Sequence, residues 1–285
     1  MLRIADRALP AGTLTTLARL QAKVDAGADY AARVVLAKSQ WDSKTSSQAK
    51  KAAFQSIKNN LDHMCVGPRR CAYCEDSLAD EIEHILPKDV FPESTFRWSN
   101  YLFACGPCNG PKNNRYGVVD GGAVVEFIRK RGDPIVPPPA GPAGCINPRS
   151  EDPLELLDLD LGGQAPGGET FDGTFNFMPA EGLGADNLAR AAFSIDVLGL
   201  NREVMCVARA NAFGGFRARL AEYRIVREQG GSEAKLARLR DDLLETHHLT
   251  VFAEMRRQRQ LLPEINALFD AIPEAMVWPL TKSDN

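Results

Sequence analysis

With 285 residues, 44% of them apolar and 25% charged, the chain can bury a sizeable core and form one large domain or two modest ones. No stretch approaches the ~18 to 20 uninterrupted apolar residues of a membrane span, and the opening MLRIADRALPAG lacks the apolar centre of a secretory signal, so the cytoplasm is the expected location. A net charge of -3 argues against a protein that coats nucleic acid nonspecifically, because such affinity comes from neutralised phosphates; any nucleic-acid contact must be local.

From Thr13 to about Met64 the pattern is helical. Leu14, Leu17, Leu20 and Val24 fall at helical spacing, Val34 to Trp41 continue after a break at Gly27, and a third helix follows the Ser47 cap. Residues 65 to 116 change character, with clustered Cys, Gly, Pro, Asn and His and strand-like runs at Glu81 to Leu86 and Tyr101 to Ala104. Residues 117 to 185 are Gly- and Pro-rich and read as an irregular crossover, in which Phe171, Phe175 and Phe177 allow one hairpin. Helices return from Asp186 through Leu200, from Arg202 to about Gln229, and from Ser232 into the His247-His248 region, with Pro263 breaking the last stretch. His247 and His248 lie in a charged stretch and are expected to be exposed, and His63 sits at a helix end.

Two C-x2-C pairs, Cys71 with Cys74 and Cys105 with Cys108, have the spacing at which two thiolates of one turn bind one tetrahedral ion. Two such turns complete a structural zinc site, closed and without an open position for chemistry. Cys65, Cys145 and Cys206 fall outside these pairs and are expected to stay as thiols. Between and just beyond the pairs lie Glu83, His84, Lys88, Arg97, Asn100, Asn109, Lys112, Asn113 and Arg115. Hydrolysis of a phosphodiester needs a base to activate water and a divalent cation to stabilise developing charge. His84 can be the base. Asn109 and Asn113, four apart, share a face if a helix begins after Cys108, and carboxylate and amide oxygens suit magnesium or manganese. Lys88, Lys112 and Arg115 are placed to meet phosphate.

Taken together, C-x2-C, Glu-His-Ile-x-Pro-Lys, Trp-x-Asn and C-x2-C-Asn-x-x-Lys resemble the HNH endonuclease motif. The resemblance implies a ββα-metal fold in which His84 is the general base, Asn100 ties the hairpin loop and positions that histidine, and Glu83 with Asn109 holds the catalytic cation, Asn113 being a further candidate ligand. Many relatives have Asp before the base and His after the last cysteine, where this chain has Glu83 and Asn109. The block from Arg70 to Arg115, with Ile146-Asn147-Pro148, Asp152-Pro153 and the run Asp196 to Arg202, is similar to the HNH subunit of Septu and related retron antiphage defence systems. That similarity implies a nuclease, with DNA favoured over RNA, working beside an ATPase with an ABC-type or overcoming-lysogenisation-defect-type (OLD) domain.

The expected fold class is therefore α+β and mainly helical: an N-terminal helical region (1–64), a zinc-stapled HNH module (65–116), a crossover (117–185) and a C-terminal helical region (186–285). The rival function is a noncatalytic zinc-ribbon adaptor. It needs the cysteines but not Glu83, His84 and Asn109 together.

Overall fold

The computed structural model describes residues 1–280. The chain is α+β and mainly helical. Three helices come first, α1 (Ala11–Asp25), α2 (Tyr30–Asp42) and α3 (Gln48–His63). Asp29 caps α2 by accepting from the Ala32 amide, and Ser47 caps α3 by accepting from the Lys50 amide, so both starts satisfy a donor that the helix itself leaves unpaired. The apolar stripe of α1, Leu17, Leu20 and Val24, is buried.

A two-stranded antiparallel sheet follows, β1 (Glu81–His84) with β2 (Tyr101–Ala104), in a register that pairs Glu83 with Leu102 and His84 with Tyr101. The first strand stops at His84, two residues short of the expected Leu86, where the chain turns toward Pro87. A short helix, α4 (Gly106–Lys112), leaves directly from β2. The N-terminal helices hold the long β1–β2 loop. Gln21 of α1 donates to Pro92 O at 3.0 Å and accepts from the Phe96 amide at 2.9 Å, while the Tyr30 hydroxyl donates to Val90 O at 2.8 Å.

The Gly- and Pro-rich stretch carries more order than the single hairpin expected. It contains β3 (Tyr116–Asp120) paired with β4 (Ala123–Phe127), and the hairpin of β6 (Gly162–Gln164) and β7 (Thr170–Asp172) nested inside the pair β5 (Leu157–Leu159) and β8 (Phe177–Pro179). Glycines permit this: a Cβ at Gly162 would lie 2.3 Å from the Phe171 carbonyl oxygen, and φ at Gly162 is +71°.

The C-terminal helices are α5 (Ala185–Val197), α6 (Glu203–Glu228), α7 (Glu233–Leu244), α8 (Leu249–Arg257) and α9 (Pro263–Ala271). Pro263 opens α9 at its first position, where a missing N–H costs nothing. The helix expected to reach the His pair ends instead at Leu244, and His248, expected to be exposed, is 2% exposed. Its backbone is left-handed and its Nε2 donates to Asp76 Oδ1 across 3.3 Å as the chain enters α8. His247 is exposed. One large buried cluster runs from Met1 to Trp278, and a smaller separate one joins Val90, Tyr116 and Val118 beside β3. Among the described residues no helix is long and apolar enough to cross a membrane.

Candidate metal centre and adjoining cleft

The two C-x2-C turns meet because β2 serves both. The Ala72 amide, inside the first turn, donates to Phe103 O at 2.9 Å, and Cys105 is the residue that caps α4 at the end of the same strand. The sulfur atoms of Cys71, Cys74, Cys105 and Cys108 all lie within 4.8 Å of one another, and all four residues are buried. The Cys74 and Cys105 sulfurs are 3.8 Å apart. A tetrahedral ion with Zn–S bonds of ~2.3 Å requires sulfur–sulfur edges of about 3.8 Å, so the donor set fits such an ion. Hydrogen bonds among the sulfurs push Cys74 and Cys105 toward thiolate and Cys71 and Cys108 toward thiol; a dication would replace the shared protons. Cys65, Cys145 and Cys206 form no disulfide; their sulfurs donate to Leu61 O, Ile146 O and Asn176 Oδ1.

Beside this centre is a cleft of about 250 Å³ whose lining includes Trp41, Glu81, Glu83, His84, Lys88, Asn109 and Asn113. His84 forms part of its floor. Burial pushes its pKa down to about 3, so the ring is neutral at ordinary pH. Its Nε2 faces the Thr95 carbonyl oxygen at 3.0 Å. A carbonyl only accepts, so Nε2 carries the proton and Nδ1 keeps its lone pair. The ring packs against Trp41 of α2, centroid to centroid 4.3 Å, and against Tyr101 at 5.2 Å.

Glu83 is buried, and Lys112 Nζ of α4 lies 2.5 Å from its Oε1. Burial holds the Glu83 carboxyl above its usual range even against that ammonium. The same ammonium donates to His84 O at 2.9 Å. Lys112, expected at phosphate, is 1% exposed, and its charge is engaged inside the protein. Arg115, given the same role from the sequence, donates to Glu126 at 2.7 and 3.1 Å and to Asp196 at 2.9 Å. Lys88 lines the cleft, 3.6 Å from Asp89.

Asn100 stands behind the cleft. Its Oδ1 accepts from the Leu86 amide at 2.7 Å, and its Nδ2 donates to Leu86 O and Ser94 O, each at 3.0 Å, so one side chain closes the β1–β2 loop. Asn109 donates to Glu81 Oε2 at 2.6 Å across the mouth of the cleft. Asn113 lies just past the end of α4 with φ of +36°, exposed at the rim. Sequence reasoning missed Glu81. The signal was there: residues two apart in a strand share a face, which puts Glu81 and Glu83 together. Trp41 had no local signal, since its helix lies 40 residues upstream of β1.

Fold and site together define an α+β protein with a four-cysteine cluster able to hold a metal ion. Among known proteins the chain is similar to the Septu protein PtuB of Bacillus thuringiensis, 44% identical over 48 residues, a match that takes in 15% of this chain and 19% of that protein. The chain thus matches less than a fifth of its relative's length. No family model and no solved structure matches it.

Proposed function

We propose that the chain is an HNH endonuclease that hydrolyses phosphodiester bonds in nucleic acid, DNA before RNA, and acts as the nuclease subunit of an antiphage defence complex with an ABC/OLD-type (PtuA-like) ATPase. The observation that carries the nuclease reading is a neutral histidine, fixed through Nε2 by a backbone carbonyl, lining a cleft with two carboxylates and two amides beside a four-cysteine cluster. The similarity to a Septu protein supports the defence setting.

The residues divide the work by geometry. His84 takes a proton from water at Nδ1, the ring nitrogen that its Thr95 contact leaves unprotonated. Glu83, Asn109 and Asn113 are the oxygen donors for magnesium or manganese, with Glu81 as a second carboxylate at the same mouth. One or two carboxylates with waters is the usual protein share of a magnesium site, so the set fits a hard cation. When bound, that ion stabilises charge on the phosphate and on the leaving oxygen. Lys88 is the cation left to meet phosphate at the cleft, while Lys112 positions Glu83 and the His84 backbone, and Arg115 orients the end of α4. Asn100 keeps the loop shut behind His84, and the four-cysteine zinc staples the frame.

The test is nicking of supercoiled plasmid with magnesium or manganese. Wild-type protein should cut, and His84→Ala should cut ~10² to 10⁴ more slowly, the usual worth of a general base, with zinc content unchanged. Absence of cutting by zinc-loaded wild-type protein, alone and with the ATPase, on DNA and on RNA, would leave the adaptor reading standing.

A further inference from the structure

The run Asp196-Val197-Leu198-Gly199-Leu200-Asn201-Arg202 lies far from the cleft in sequence, yet it reaches the first turn of α4 and the segment just past that helix's end. Helix α5 closes in a Schellman turn: the Gly199 amide donates to Asp196 O at 2.9 Å and the Leu200 amide to Ile195 O at 3.0 Å, with φ at Gly199 of +55°. Asn201 then clamps onto β8, accepting from the Phe177 amide at 2.7 Å and donating to Phe177 O at 2.8 Å. The buried Arg209 guanidinium holds Leu200 O at 2.5 Å and Phe175 O at 2.9 Å. The backbone that carries Arg202 is therefore fixed from three sides.

Arg202 uses that fixed position on the knuckle, the two C-x2-C turns that carry the four clustered cysteines. Its Nη1 donates to Pro107 O at 2.6 Å, and its Nη2 donates to the Cys108 sulfur at 3.5 Å. Three residues past the other end of α4, Arg115 donates to Asp196 at 2.9 Å. Four thiolates around a dication carry a net charge of -2, and a guanidinium donating to one of those sulfurs offsets part of it while fixing the ligand's orientation.

We propose that Asp196–Arg202 is a clasp joining the C-terminal helices to the metal knuckle, in which Arg202 faces the metal-bound Cys108 sulfur and tightens the centre. The proposal rests on the four-cysteine site holding a metal and does not depend on the nuclease reading. Metal occupancy and the packing of α5 and α6 onto α4 are then coupled, and coupling of this kind works in both directions.

The experiment uses full-length protein purified with zinc and two variants, Arg202→Met and Arg202→Lys. Zinc transfer to a chromogenic chelator should be ~10- to 100-fold faster for Arg202→Met, the usual effect of losing a group that supports a ligand, with Arg202→Lys between it and wild type. Cobalt-substituted Arg202→Met should show a shifted thiolate-to-cobalt absorption band, which a merely structural tether would leave in place. Wild-type protein stripped of zinc should show faster amide exchange at residues 185–202 as well as at the knuckle. Where Arg202→Met does not fold, Asp196→Asn at the exposed end of the clasp serves in its place, and should speed exchange at 106–112. Unchanged zinc transfer and an unchanged cobalt band in folded Arg202→Met overturn the role of Arg202. Unchanged exchange at 185–202 on zinc removal overturns the clasp, and absence of zinc from wild-type protein overturns the metal site beneath both.

Discussion

Lys112 shows how a residue's surroundings redefine it. In the sequence it is one cation among several near the second cysteine pair; in the fold its ammonium is enclosed, with Glu83 at 2.5 Å and His84 O at 2.9 Å. Removing one partner of a buried ion pair strands the other, at a cost of about 3–5 kcal/mol. Lys112→Met should therefore lower the stability measured by urea unfolding by about that amount, whereas Glu83→Leu with Lys112→Met together should recover much of it. An unchanged urea midpoint in the single variant would refute the buried pair. His84 gives a second test at this scale. Burial lowers its folded pKa from 6.5 to about 3, so the unfolded chain binds the proton more readily between those values. The contribution of His84 to stability is thus fully present above pH ~6.5 and is lost as pH falls toward 3, at up to about 1.4 kcal/mol per pH unit. Unfolding free energies of wild type and His84→Gln, measured from pH 7 to 4, should converge toward the acid end. A constant difference would contradict the depressed pKa.

At the scale of elements, the knuckle and the β1–β2 loop form one frame stapled at its base by the cysteines and tied at its top by Asn100. Cys105→Ser should bind less than one zinc per chain and lower the thermal transition by ~10 °C or more, because metal-binding energy in such a unit is folding energy. Full zinc content by elemental analysis, or an unmoved transition, would count against the staple. The spacing of the cysteines, a local quantity, made their cluster legible in the sequence. The starts of α2 and α3 were legible for the same reason, since a cap such as Asp29 or Ser47 acts within three residues. The burial of Lys112 and His248 was not legible, because it depends on α4 closing on β1 and on α8 closing on Asp76. Among the extra strands of the crossover, β5 to β8 were hidden by their length, three residues each, too short for an alternation to stand out. In the cleft, the motif brought out His84 and Glu83; Glu81 needed the strand register, and Trp41 needed the whole fold.

For the whole molecule, the question is what covers the C-terminal helices if a partner does. Most of their apolar residues are already committed: Leu198, Leu200, Met205, Phe216, Leu243, Val251 and Phe252 are all in the common core. Truncation before α5 would open that core and test nothing about docking. What remains outside is a smaller set, notably Val204 and Val207 of α6, 63% and 55% exposed, and Leu188 of α5, 50% exposed. Val204 and Val207 are three apart on one helix and so present one face, the pattern of a helix-on-helix contact in which a few apolar anchors carry the energy. If the proposed ATPase docks there, Val204→Glu with Val207→Glu should weaken the complex at least ~10-fold, since each substitution would desolvate a charge at the contact. Zinc content and plasmid nicking by the isolated subunit should stay at wild-type levels, because neither valine lines the cleft or belongs to the four-cysteine cluster. The measurement is co-expression with the ATPase followed by size-exclusion chromatography and titration of the purified partners. Equal affinity of wild type and the double variant would place the docking face elsewhere on the molecule, and separate elution of wild-type protein and ATPase would remove the partnership itself.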